Sequence, residues 1–222
     1  YVPVAGILIS DIHAAGQLDG QQFNLSTVRM TSDSGTISGQ GHLDLHGWVP
    51  GKYHLSLSGE NFQLINLTDL AVQISPELVI DGNLESVRVR GSLSLPQVMI
   101  ENQTRPQVVQ NSPDLVIVER QQTARNITNF RHDIDVNLVL GEQVLLNVAG
   151  LQARVAGSLR LYSDAQQDIA AQGQLFVERG RISTYGVSLD IERGDLYFAG
   201  VPLRYPAFDI LAIRRAGEVR AG

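Results

Sequence analysis

The 222-residue sequence has no cysteine and a single lysine, Lys52. Without cysteine there is no disulfide framework and no thiolate metal site. That absence suits an extracytoplasmic bacterial protein. Aromatics make up only 6% of the chain against 43% apolar residues overall, so the apolar content is mostly Leu, Val and Ile. This favours an aliphatic surface over an aromatic platform for sugars or nucleobases. Net charge is −6 and the isoelectric point about 5.3. An acidic chain opposes attraction to nucleic-acid phosphates and to anionic headgroups. No run of 18 apolar residues is present, so no membrane-spanning helix is expected. The chain starts at Tyr1 without Met and stops on EVRAG, which reads as a fragment of a longer protein.

Helical periodicity is nearly missing as well, and strand periodicity fills its place. Successive side chains on a strand point to opposite faces. Leu43 and Leu45 alternate with His42, Asp44 and His46, and Leu55 and Leu57 with His54, Ser56 and Ser58. GWVPG (47–51) between them reads as a hairpin loop. Val87 and Val89 alternate with Arg88 and Arg90. After Gly91 come Leu93 and Leu95. Ile134, Val136, Leu138 and Leu140 alternate with Asp133, Asp135 and Asn137. Leu151, Val155, Leu159 and Leu161 follow, then Val187, Leu189, Ile191, Leu196 and Phe198. The pattern predicts roughly 13 to 16 strands of about five to eight residues. In 173–200 the closely spaced glycines read as turns of a narrow antiparallel meander. A helix over 61–71 is the best available and keeps no clean apolar stripe. Residues 101–113 are polar with two prolines and read as a surface loop. Residues 121–132 read as another. The strand pattern is the same on both sides, which predicts one continuous unit over 1–222.

Each strand has an apolar face and no amphipathic helix is on hand to cover it. A sandwich, a barrel, a solenoid, or a bent sheet holding an apolar ligand would each resolve this. Transmembrane barrel strands run about 9–11 residues between aromatic girdles, which does not fit the expected short strands. A parallel β-helix should repeat every 20 residues or more.

Catalytic and metal chemistry finds little support. His42, Asp44, His46 and His54 could approach a cation, but residues alternating on a strand are also what a wet polar face looks like. Asp133/Asp135 and Asp190/Glu192 are paired carboxylates on strand faces that read as outer. A glycosidase would need one of them to have a raised pKa. GTISGQG (35–41) precedes a strand pattern, whereas a phosphate loop needs a helix. Ser10, Asp11 and His13 lack a nucleophile-elbow context. No catalytic residue, metal or cofactor is assigned, and a non-enzymatic chain is expected.

Three blocks in the C-terminal half carry a resemblance. They are NSPDLVIV (111–118), DIDVNLVLGEQVLLNVAGLQARVAGSLRL (133–161), and the 194–212 stretch with Gly194, Leu196, Phe198, Gly200, Pro206, Asp209, Ile210 and Ala212. In order and spacing they resemble the C-terminal region of the TamB family, periplasmic proteins related to AsmA. The match covers roughly 96–222, with only generic strand grammar before it. The resemblance implies an all-β half-pipe, or β-taco, with an apolar concave groove. It implies a chain anchored in the inner membrane of a Gram-negative bacterium and crossing the periplasm. The implied partners are phospholipid acyl chains, the BamA-like outer-membrane barrel TamA, and unfolded outer-membrane protein clients such as autotransporters. The groove lining expected from the alternation is Leu43, Leu45, Leu55, Leu57, Val87, Val89, Leu93, Leu95, Ile134, Val136, Leu138, Leu140, Leu151, Val155, Leu159, Leu161, Val187, Leu189, Ile191, Leu196 and Phe198. A β-solenoid passenger or adhesin-type surface module is the alternative, and a secreted hydrolase on a β scaffold a further one.

Overall fold

Every regular element among the described residues is a strand, as the alternation demands. The computed structural model describes residues 6, 9–47, 49–102, 130–163, 168–184, 186–216 and 219–221. Thirteen strands make one sheet: β1 (Ile9–Asp19), β2 (Gln22–Ser32), β3 (Thr36–His46), β4 (Val49–Glu60), β5 (Phe62–Asn66), β6 (Leu70–Gly82), β7 (Ser86–Asn102), β8 (Arg131–Val148), β9 (Leu151–Ser163), β10 (Ile169–Thr184), β11 (Val187–Pro202), β12 (Ala207–Ala216) and β13 (Val219–Ala221). They pair in chain order, except that β4 and β5 both pair with β6. Among the described residues there is no helix, and 61–71 forms β5 and the start of β6.

The strands are longer than their alternation alone suggests. Apart from β5 and β13 they run 10 to 18 residues. The glycines explain the difference. Gly173, Gly180, Gly194 and Gly200 lie inside β10 and β11, and of the glycines in 173–200 only Gly186 occupies a turn. Gly91 and Gly157 are likewise inside β7 and β9. A glycine in a strand marks a kink or a close backbone approach as readily as a turn. At Gly157 φ is +127°, a conformation L side chains rarely adopt, and an added Cβ would strike the carbonyl oxygen of Gln174.

Two further expectations change. The meander is antiparallel at every pair but one, since β7 and β8 run parallel. A parallel pair needs a crossover of a dozen residues or more, and the chain between Asn102 and Arg131 is long enough. Glu101 and Asn102 of the expected 101–113 loop belong to β7, and Arg131 and His132 of the second loop begin β8. Phe130, just before β8, is exposed; the rest of both stretches, and NSPDLVIV (111–118), lie outside the described residues. The GWVPG hairpin holds, with β3 ending at His46 and β4 starting at Val49.

The curl of the sheet follows from its irregularities. From β6 to β12, register shifts fall on one line across the strands: Gln73/Ser75, Leu95/Gln97, Leu140/Leu145, Val177/Arg179 and Ile191/Arg193. Each bulge bends its strand. Bends aligned across neighbouring strands fold a sheet along that line, leaving one concave and one convex face. The result is an open, curled half-pipe rather than a closed sandwich or a parallel solenoid.

Candidate functional site: the face lined by aliphatic side chains

The pairing register decides which side chains share a face. Leu43 lies opposite Tyr53, Leu55 opposite Ile80, and Ile80 opposite Val89. Val89 lies opposite Ile134, Leu138 opposite Leu159, and Leu159 opposite Gly173, which faces Phe198. Followed strand by strand, all of the expected lining residues, from Leu43 to Phe198, fall on one face. Val136, Val155, Leu159 and Phe198 are buried, Val187 is exposed, and the others are half-buried.

Two packed clusters sit on this face, one on each side of the bend. Val144, Ala153 and Val155 form the first, with Leu140, Leu146 and Val177 against them. Leu159, Ala171 and Phe198 form the second, with Leu138, Leu161 and Leu196. Leu175 touches both. Among the described residues no second layer covers the face, so this burial comes from the curl. Towards the outermost long strands the same face opens. Ile12 and Leu18 of β1 are 63% and 60% exposed, and Phe208 and Ile210 of β12 are 70% and 54% exposed. β13 pairs only with Arg214–Ala216, so the outer edge of Ala207–Ile213 has no strand partner among the described residues.

Alternation alone missed part of this face. Val98 and Ile100 share it with Leu95, although they have the opposite parity in sequence. Leu175, Val177 and Ile182 also belong to it. At the bulges of β7, β10 and β11 the count by two slips by one, whereas β8 gains two residues and keeps its parity from Leu140 to Val144 and Leu146; the readable signals were Pro96, Gly141, Gly180 and Gly194 beside the irregularities.

The opposite face is polar and ion-paired. Arg88 and Arg90 reach Asp133 at 2.8 and 3.0 Å, and Arg160 reaches Asp135 at 2.8 Å. These guanidiniums hold both carboxyls below their usual range. A general acid needs the reverse shift, so this pair is built as a brace across the β7–β8–β9 junction. Asp190 pairs with Arg181 at 3.0 Å. His54 does lie opposite His42, the rings stacked with centroids 5.5 Å apart. His54 Nδ1 is 2.7 Å from Asp81, and Asp44 accepts a hydrogen bond from Gln22. Among the described residues no three His, Asp or Glu are placed to hold a metal ion. GTISGQG runs into β3, not a helix. Ser10 donates to the Thr31 carbonyl.

A curled single-layer sheet, aliphatic on one face and ion-paired on the other, defines a scaffold class in which shape and surface recur from strand to strand. Residues 26–222 match the TamB C-terminal domain family, and the chain belongs to that family. It is 23% identical over 210 residues to the translocation and assembly module subunit TamB of Haemophilus influenzae. That alignment covers 84% of this chain and 16% of the relative, so the chain spans about a sixth of that protein. Among the described residues no helix is long and apolar enough to cross a membrane.

Proposed function

We propose that this chain is a non-enzymatic segment of a periplasmic conduit, carrying phospholipid acyl chains between membranes along its concave face. The observation that supports this most is the continuity of one aliphatic face across the sheet, with most of its side chains only half-buried. An acyl chain gains about 0.8 kcal/mol per buried CH₂. Half-burying about fifteen of them is worth about 6 kcal/mol by that measure. Sliding by one strand spacing, about 4.8 Å, exchanges one row of Leu, Val and Ile for the next. Binding without a fixed site therefore permits movement.

The edge of β12 over Ala207–Ile213, which has no strand partner among the described residues, supports a second role for the same scaffold. An open edge accepts an added strand, as assembly of outer-membrane protein clients would require, and a BamA-like barrel such as TamA is the partner the family suggests. The rest of the protein would supply the inner-membrane anchor. Native mass spectrometry of the purified chain, with lipid extraction, tests the conduit reading. Co-purifying phospholipid, displaced by added fatty acid, is the expected result. Repeated absence of bound lipid, with no uptake of a fluorescent fatty acid, would overturn it.

A further inference from the structure

We propose that the polar face carries a binding site for a phosphate-class oxyanion, built from Arg154 and Arg179. These two residues face each other directly across β9 and β10. Like charges directly opposite on an antiparallel pair are destabilising. Elsewhere on this face most arginines have carboxylates: Arg88 and Arg90 share Asp133, Arg160 has Asp135, Arg181 has Asp190, and Arg193 has Asp209; Arg29 and Arg131 have none among the described residues, but they stand opposite His13, Ser38 and Ser86 rather than another arginine. Arg154 and Arg179 have no such partner among the described residues, in a chain whose net charge is −6. Both are exposed.

They line a shallow depression of about 530 Å³, within the range of small-molecule sites. Of the carboxylates around it, Asp190 is held by Arg181. Glu101 lies on β7, two strands from Arg154, and makes no ion pair among the described residues. Two guanidinium groups suit a phosphate group, which can accept paired N–H bonds from each. The same row continues into apolar surface, Arg154 standing opposite Leu145 and Leu145 opposite Met99. Leu145 is 41% exposed although it lies on the polar face. The oxyanion is therefore either free phosphate or the head of an amphiphile whose chain rests on Leu145 and Met99.

Calorimetric titration of the whole chain tests this with sodium phosphate, with decyl phosphate below its micelle concentration, and with decylphosphocholine as a zwitterionic control. Arg154→Gln and Arg179→Gln should each weaken phosphate-group binding at least tenfold, and added salt should weaken it in the wild type. Equal affinity for the two phosphates assigns the site to the free ion, and tighter binding of decyl phosphate assigns it to an amphiphile. Either result supports the site. Binding in the concave face is common to both decyl probes and survives the substitutions, so it is read separately. If neither phosphate gives heat that the substitutions remove, the site does not exist. The variants should melt at or slightly above the wild-type temperature, because the repulsion is relieved. A clear fall would make the arginines structural and overturn the proposal.

Discussion

Leu159 and Leu189 share a face but not an environment, so substituting each separately measures how far the half-pipe is packed and how far it is open. Leu159 is 4% exposed and packs on Ala171 and Phe198. A Cβ added at Gly173 would stand 3.3 Å from Leu159 Cδ2, so glycine backbone lies beneath the leucine and offers no side chain to fill a void. Leu→Ala in such a site costs about 2–5 kcal/mol, more where the site cannot collapse. About 3–4 kcal/mol is therefore expected for Leu159→Ala. At about 2–4 °C per kcal/mol for a chain of this size, Tm falls by about 6–16 °C. Leu189 is half-buried beside the β10–β11 turn, opposite Ile182. Leu189→Asp leaves the carboxylate wet and forfeits about half a leucine's transfer energy, about 1–1.5 kcal/mol. Its Tm falls by only about 2–6 °C. Thermal melts followed by circular dichroism, paired with uptake of a fluorescent fatty acid, read both effects. Leu189→Asp should stay folded and take up less. If it loses its strand signal at 25 °C, the face is a closed core and the conduit reading fails. If Leu159→Ala falls within 1 kcal/mol of wild type, the second cluster is not packed as described.

Gly157→Ala should cost about 1–3 kcal/mol, because it adds backbone strain at φ +127° and a Cβ against the Gln174 carbonyl; urea denaturation measures it, and a neutral result would refute the kink. The Asp133 and Asp135 pairs should stabilise the fold fully above the unfolded carboxylate pKa, about 3.9, and be lost only as pH falls through their lower folded values. Both carboxylates are more than a third exposed, so solvent screening keeps each pair's contribution small; Asp133→Asn should flatten part of the acid limb in a pH series of melts.

The alternation of Leu43, Leu45, Leu55 and Leu57 with polar neighbours was enough to place an aliphatic face, because period two is a property of the strand itself. Strand length was not legible from the same residues. Gly173, Gly180 and Gly194 have the composition of turns, and only the pairing of β10 with β9 and β11 shows them inside strands. Bulges hid part of the face for a related reason: Val98 and Ile100 look polar-side by parity because one extra residue precedes them. The parallel β7–β8 pair was out of reach too, since parity is the same whichever way a neighbouring strand runs. The polar-face arginines looked like a uniform solvated wall. Register separates Arg160, opposite Asn137 and braced by Asp135, from Arg154, opposite another arginine across β10.

Packing is not spread evenly along the half-pipe, and that bears on where an occupant has room. Both packed clusters lie on β8–β11, with Val98 of β7 at their margin. The lining residues of β3, β4 and β7 are all half-buried. A wall that is satisfied by its own neighbours gains little from a ligand, while a half-wet leucine still has transfer energy to release. The packed clusters of β8–β11 therefore hold the shape, while the half-buried lining of β3, β4 and β7 and the exposed Phe208 and Ile210 of β12 are where an apolar ligand would gain most. The ion-paired brace stands where the two regions meet, on the polar side of β7, β8 and β9. There it joins the two antiparallel runs without placing a charge on the aliphatic face. A charge on that face would interrupt its continuous aliphatic surface, and each of those carboxylates has its guanidinium on the far side of the sheet.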